Sequence, residues 1–331
     1  MLLTPVLMLC SFTLVTSTIM ALSSMSWFTL WISLELNMLS FIPLIFSSNS
    51  NMELEASIKY FLVQAFASSM LLFASTCLVM KSFMPATLMN MMIILSLLTK
   101  LGSFPCHYWF PYVMQSVNWT TATILATWQK IAPIMALFFL INTHQVMLLI
   151  ALMNVFIGGL LGMFTSSIRQ IMAYSSIAHM GWMMSLMPYN MSMYSVVYLI
   201  MYIIMVLPVF YMFMKYNINS ITDMKQYSNM KPLTSMSLSL MILSLAGLPP
   251  LSGFMPKLMI LVILSQFNMM LAFIMVIMSA MSLYFYLNMT MNMVISPLYK
   301  MSKEKLHFKS IMSILISFMY LPLILLIYAL T

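Results

Sequence analysis

GLPPLSGFMPK, residues 247–257, sets two adjacent prolines, a third proline and a lysine inside an apolar run that continues on both sides. A helix that should cross a membrane is broken midway. Proline lacks an amide donor and clashes with the preceding turn, so backbone carbonyls near Leu245 to Pro250 lose their intrahelical partners. Irregular backbone at membrane depth survives only where it is buried in protein or lines a watery cavity. Broken helices of this kind mark the ion or substrate site in many transporters.

A second copy lies upstream in LGSFPCHYWFP. Gly102, Pro105 and Pro111 there match Gly247, Pro250 and Pro256 at one constant offset, 247 − 102 = 145 residues. With only 14 prolines in 331 residues, and both copies interrupting hydrophobic helices, the match reads as an internal structural repeat. The break residues are Gly102 and Pro105 in the first copy and Gly247, Pro249 and Pro250 in the second.

The composition agrees with a membrane interior. The chain is 63% hydrophobic and 5% charged, which leaves almost no polar surface to face water. Apolar runs of about 20 residues match a hydrocarbon core of roughly 30 Å, and no stretch reads as a separate soluble domain. The N-terminus has no basic region before its apolar run, so the first helix is expected to be retained rather than cleaved. Cys10, Cys77 and Cys106 have neither a disulfide framework nor metal-ligand spacing and read as free packing thiols. The net charge of +8 is spread over loops rather than forming a stripe with interleaved aromatics, so no nucleic-acid partner is expected.

The fold class is all-α, a polytopic membrane protein of about eleven transmembrane helices. The expected helices span about 2–22, 24–46, 56–80, 88–117 (broken at 102–105), 121–141, 146–166, 171–187, 194–214, 236–266 (broken at 247–250), 269–293 and 310–329. The offset carries the first helix onto the sixth and the fourth onto the ninth, so residues 1–145 and 146–295 form two five-helix repeats. Five is odd, so the copies are inverted, with their site near the midplane between them. Residues 296–331 supply a basic loop and a last helix outside the repeats. Loops on the N-terminal side hold or border Lys59, Arg169, Lys215, Lys225, Lys231, Lys300, Lys303, Lys305 and Lys309, against Lys81 alone on the other. That bias places the N-terminus on the charge-retaining side and the C-terminus across the membrane. Gly158 and Gly162 make a GxxxG spacing that predicts close helix packing.

Four ionisable residues remain after the loops: Glu35, Lys100, Lys130 and Lys257, each near the middle of its expected helix. At about 2.5–3.5 kcal/mol apiece, four such groups facing lipid would cost on the order of 10 kcal/mol, so they must face one another, protein or water. Snorkelling to the headgroups suits Lys59, Lys81 and Lys215 near helix ends, but is too short a reach for the central four. Three lysines against one carboxylate leave at least two without an acidic partner, and Glu35 can pair with Lys100 in a relay whose protonation states are coupled. His179 in SSIAHMGWM is a possible further relay, with His107 a weaker one, while His144 and His307 read as loop residues. No phosphate loop, HExxH, CxxC or Ser/His/Asp set is present, so redox or hydrolytic chemistry is not expected on this chain.

At these residues the sequence resembles the chain 2 family of the mitochondrial NADH:ubiquinone oxidoreductase, respiratory complex I. The stretches that carry the likeness are WISLELNMLSFIP, EASIKYFLVQAFAS, KLGSFPCHYWFP, TWQKIAPI, RQIMAYSSIAHMGWMM and LAGLPPLSGFMPK, in this order over nearly the whole length. The resemblance implies an antiporter-like, proton-translocating subunit of the membrane arm, working as part of the NADH:ubiquinone reductase. It would carry no redox centre, cofactor or metal of its own, with NAD, FMN, iron–sulfur clusters and ubiquinone elsewhere in the assembly. It further implies a Glu35–Lys100 ion pair, Lys130 as central proton carrier and Lys257 as the lysine of the second half. Expected partners are a neighbouring antiporter-like chain, small membrane subunits and lipids such as cardiolipin. The expected location is the mitochondrial inner membrane, with the N-terminus in the matrix and the C-terminus in the intermembrane space. Gln170, Leu258, Leu264, Ser265 and Gln266 depart from the residues common in the family at those positions. A multisubunit cation/proton antiporter, or a structural membrane-arm subunit without its own proton path, remain as alternatives.

Overall fold

The computed structural model describes residues 5–47, 50–80, 85–140, 144–226 and 232–294. The last expected helix, the basic loop before it, Lys81, Lys231 and His307 lie outside the described residues. The chain divides into two compact units between Val146 and Met147.

The first unit contains α1 (Pro5–Leu22), α2 (Trp27–Ile45), α3 (Asn51–Val79), α4 (Ala86–Leu101), α5 (Trp109–Ser116), α6 (Trp119–Ala126) and α7 (Trp128–Leu137). Within it α1 packs on α2 and α7, α2 on α3, α3 on α4 and α5, and α4 on α7. The second contains α8 (His144–Met163, entering it at Met147), α9 (Ile168–Met184), α10 (Ser192–Tyr216), α11 (Ile221–Gln226), α12 (Pro232–Ala246), α13 (Phe254–Phe267) and α14 (Met269–Val294). There α14 packs on α9, α11, α12 and α13, and α10 packs on α9, α12 and α13.

Among the described residues, six helices are long and apolar enough to cross a membrane, and Ala86–Leu101, Thr234–Ala246 and Phe254–Phe267 are shorter apolar ones. The protein is therefore an all-α, multi-pass membrane protein. Its hydroxyl groups turn inward on their own helices: Ser17, Ser33, Ser96 and Ser176 donate to the carbonyl three residues back at 2.7–2.9 Å. A hydroxyl donor is thus satisfied within its own helix in an apolar surround.

Helix ends follow local chemistry. Ser26 caps α2 in a reciprocal pair with Thr29, whose amide donates to Ser26 Oγ at 3.2 Å. Helix α3 starts at Asn51 rather than near 56, because Ser50 accepts from the Glu53 amide and nucleates it earlier. At 29 residues it is about 44 Å long, so its acidic first turns extend past the hydrocarbon.

Three expectations need correction. The expected unbroken helix 121–141 is interrupted at Thr127, which separates α6 from α7. Thr127 turns its hydroxyl onto Thr123 O at 2.6 Å, and Pro133 deprives the Gln129 carbonyl of an amide partner inside α7. Lys100, Lys130 and Lys257 are not at helix middles: they occupy the last turn of α4 and the first turns of α7 and α13. Cys106 is exposed rather than packed.

An additional short element, α11, follows α10. An isolated antiparallel bridge joins Ser167 to Ser220, with Ile168 N donating to Asn219 O at 3.0 Å and Ile221 N to Ser166 O at 3.2 Å. The approaches to α9 and α11 are thereby tied together at one end of the α9–α10 pair. The GxxxG glycines pack closely as expected: a Cβ on Gly158 would fall 2.6 Å from Tyr174 O, and one on Gly162 would fall 2.8 Å from the Phe285 ring.

Candidate functional site

The two expected breaks share one backbone device. Gly102 ends α4 with φ +67° and Gly247 follows α12 with φ +82°, left-handed values that a side chain disfavours. Each terminates its helix at a residue close to a buried lysine.

In the first unit the chain returns from the break as α5, and Phe110 packs where a Gly102 side chain would stand, 2.6 Å from a built Cβ. The Phe110 ring in turn faces Lys130, whose ammonium lies 5.1 Å from its centroid. A desolvated ammonium over an aromatic face gains electrostatic stabilisation. Lys130 and Lys100 are both buried, 3% and 7% exposed, depths at which a lysine needs specific surroundings.

Glu35 projects from α2. Its Oε1 accepts from the Ser68 hydroxyl at 2.9 Å, while Oε2 and the Lys100 ammonium are buried without a hydrogen-bond partner. Lys100 and Tyr60 both feel the Glu35 charge. The anticipated direct Glu35–Lys100 ion pair is therefore not formed: the two groups are electrostatic neighbours, and the carboxylate's close contact is Ser68. An ion pair does form between Lys59 and Glu55 at 2.6 Å, half-exposed side chains one turn apart on α3, so Lys59 pairs locally instead of merely snorkelling. Gln129, beside Lys130, donates to Asn37 Oδ1 at 3.0 Å and ties the start of α7 to α2.

His107 is buried beside the break. Its Nδ1 lies 3.3 Å from Pro105 O, and since a carbonyl only accepts, that nitrogen carries the proton in the bond. Its Nε2 is buried without a hydrogen-bond partner.

In the second unit Lys257, 7% exposed, donates from Nζ to Ala246 O at 2.7 Å, the carbonyl next to the break. His179, on α9, is buried and shares a 2.8 Å hydrogen bond from Nδ1 with the Tyr198 hydroxyl, with the Tyr202 ring 5.2 Å away, one turn further along α10. Glu35, Lys100 and Lys130 thus belong to the first unit, and His179 and Lys257 to the second.

Sequence reasoning missed Gln64, Ser68, Trp109, Phe110, Tyr198 and Tyr202. Gln64 and Ser68 carried a signal, two polar residues one turn apart in the otherwise apolar YFLVQAFAS. The aromatic residues carried none, because an aromatic in an apolar helix is indistinguishable from packing. A cavity of about 430 Å³ at the α1–α2 turn, lined by Ser23, Ser24, Ser26, Trp27, Leu30 and Phe139, includes none of the charged groups. Among the described residues no cluster of three or more His, Cys, Asp or Glu could hold a metal ion.

Interrupted apolar helices with ionisable side chains buried at the interruptions define a multi-pass, antiporter-like membrane protein. Residues 24–282 match the family described as NADH:quinone oxidoreductase/Mrp antiporter, TM. A relative from Lumbricus terrestris named NADH-ubiquinone oxidoreductase chain 2 is 43% identical over 286 residues, covering 86% of this chain and 85% of the relative. One of the same name from Canis rufus is 40% identical over 298 residues, covering 86% and 85%. The chain belongs to this family, within its NADH-ubiquinone oxidoreductase chain 2 group. The fold is similar to a chain of respiratory complex I from Thermus thermophilus with bound aureothin, at TM-score 0.84 and 22% identity over 97% of this chain and 78% of that one. It is also similar to a chain of the Mrp complex from Dietzia sp. DQ12-45-1b, at TM-score 0.77 and 17% identity over 85% and 59%.

Proposed function

We propose that this chain is a core membrane-arm subunit of respiratory complex I in the mitochondrial inner membrane, translocating protons through Glu35, Lys100, Lys130 and Lys257, with His179 as a relay. Electron transfer from NADH to ubiquinone would take place on other subunits and reach this one by conformational and electrostatic coupling. The observation that carries the reading is the burial of three lysines, each 7% exposed or less, at three separate helix interruptions. Apolar packing would be served as well by leucine, so a charge retained at such cost argues for use. Moving one charge against 100 mV costs about 2.3 kcal/mol, a load within reach of changes in the surroundings of a buried ammonium.

In this reading 1–145 and 146–295 are inverted repeats, supported by the left-handed glycines at matched positions, and 296–331 is an appendage. The N-terminus faces the matrix and the C-terminus the intermembrane space, and the partners are a neighbouring antiporter-like chain, small membrane subunits and cardiolipin-type lipids. No cofactor is assigned to this chain.

Lys130→Met and Lys257→Met in fully assembled complex are expected to slow coupled NADH oxidation and proton pumping together. Wild-type rates and pumping in both variants would refute the assignment. Reduced assembly with unchanged protons per NADH would instead identify a structural subunit. A cation/proton antiporter, the alternative favoured by the word antiporter in the family description, would exchange cations without co-purifying flavoprotein and iron–sulfur subunits.

A further inference from the structure

The carbonyl end of a broken helix attracts any nearby ammonium, because its last C=O groups lack amide partners and carry the negative end of the helix dipole. At the second break this happens: Lys257 Nζ docks on Ala246 O at 2.7 Å. A Cβ on Gly247 would fall 3.0 Å from that ammonium, so the glycine leaves the lysine room to lie there.

The first break is treated differently. The Leu98 carbonyl accepts from the Ser103 amide and hydroxyl at 3.1 and 3.2 Å. The Thr99 carbonyl accepts from the Gly102 amide at 3.2 Å and from the Trp109 indole at 2.9 Å, and the carbonyl of Lys100 itself accepts from the Gln64 side-chain amide at 3.2 Å. Every one of these oxygens has a neutral donor. The Lys100 ammonium makes no hydrogen bond and remains in the field of Glu35.

The donors are organised by one face of α3. Tyr60, Gln64 and Ser68 stand four residues apart, all buried. Ser68 holds Glu35, Gln64 holds the Lys100 carbonyl, and the Tyr60 ring packs edge-on against Trp109 at 5.8 Å. A single helix face thus places both the carboxylate and the lysine's backbone.

We propose that Gln64 and Trp109 are positioning residues for Lys100: by occupying the carbonyl oxygens at the end of α4 they keep its ammonium uncommitted and available to Glu35. The proposal rests on the proton-path reading and deepens it. The first lysine is held poised, whereas Lys257 is docked on its own helix break. Without the two donors, the Lys100 ammonium would settle on the carbonyl end of α4, as Lys257 of α13 settles on the carbonyl end of α12.

The test uses Gln64→Met, close in volume but without a donor, and Trp109→Phe, each in the whole assembled complex. Coupled NADH oxidation and pumping are expected to fall roughly twofold to tenfold, the factor that one hydrogen bond carries. Gln64→His, which restores an N–H donor, should recover most of the loss. A density map of the Gln64→Met complex should show the Lys100 ammonium moved onto the Lys100 carbonyl, the oxygen that the substitution frees. An ammonium left in place beside Glu35 overturns the proposal, whatever the rate. A moved ammonium with wild-type pumping supports the positioning role and overturns the proton path instead. If Trp109→Phe fails to assemble, Gln64→Met alone decides.

Discussion

Replacing Gly102 with alanine tests how the first break is built. The glycine sits at φ +67°, where an L-residue costs about 1–2 kcal/mol. The new methyl would stand 2.6 Å from Phe110 Cβ, 3.0 Å from its Cγ and 3.2 Å from the Trp109 ring. Phe110 is 1% exposed and can yield only by pushing into its neighbours, an overpacking penalty of about 1–3 kcal/mol. The two contributions act on different parts of the residue and sum to about 2–5 kcal/mol. Because Phe110 carries the Lys130 ammonium on its ring, the same displacement should slow coupled NADH oxidation in whatever complex assembles. Thermal inactivation of assembled complex, followed by native electrophoresis and coupled oxidation, reads both effects. Gly159→Ala offers a packing-only comparison: its Cβ would meet Met281 Cβ at 3.0 Å and the Met278 carbonyl at 3.2 Å, with no left-handed backbone to accommodate. A Gly102→Ala complex as heat-stable as the unsubstituted one would refute the reasoning.

Tyr198→Phe removes the hydroxyl bonded to His179 Nδ1 and should destabilise the second unit by about 1–3 kcal/mol, the cost of stranding a buried polar atom, visible as a lower inactivation temperature; an unchanged temperature would mean that the imidazole finds another partner. Gly253→Ala would drive a methyl into the Ser244 carbonyl, and neither partner is a flexible side chain, so complex assembly on native gels should fail; normal assembly would show that the second break can open. The Asp223 carboxyl is held below its ordinary value: partial burial pushes it up, but hydrogen bonds from Ser220 and from the Asn219 amide outweigh that. Its contribution is therefore present above the ordinary carboxylate value and lost as pH falls through the lowered one. The protection factors of the Asn219 and Ser220 amides, which remove the intrinsic pH dependence of exchange, should fall between about pH 5 and 3, and Asp223→Asn should abolish that fall. Constant protection across that range in the native chain would show that the bracket does not need the carboxylate.

Apolar length made the helical membrane class legible, because a backbone in hydrocarbon must satisfy its own hydrogen bonds. The spacing of Gly102, Pro105 and Pro111 against Gly247, Pro250 and Pro256 located both breaks, since proline and left-handed glycine act on the local chain whatever surrounds them. The interruption at Thr127 was hidden: no glycine or proline stands there, and Pro133 acts from inside the following helix. The early start of α3 was missed because Glu53, Glu55 and Lys59 break the apolar pattern before the helix itself ends.

The charged residues Glu35, Lys100, Lys130 and Lys257 could be picked out from one-dimensional pattern because burying an unneeded charge is costly wherever it falls. What holds each of them could not. Gln64 reaches a carbonyl 36 positions away in sequence, and Ser68 reaches Glu35 across 33, contacts created by the packing of α3 on α2 and α4. Hydrogen bonds act over about 3 Å, so their partners are chosen by how helices dock and not by the order of residues along the chain. Composition alone therefore announced a membrane protein with expensive charges inside it. Helix packing determined that Lys100 stands free beside Glu35 while Lys257 rests on its own broken helix.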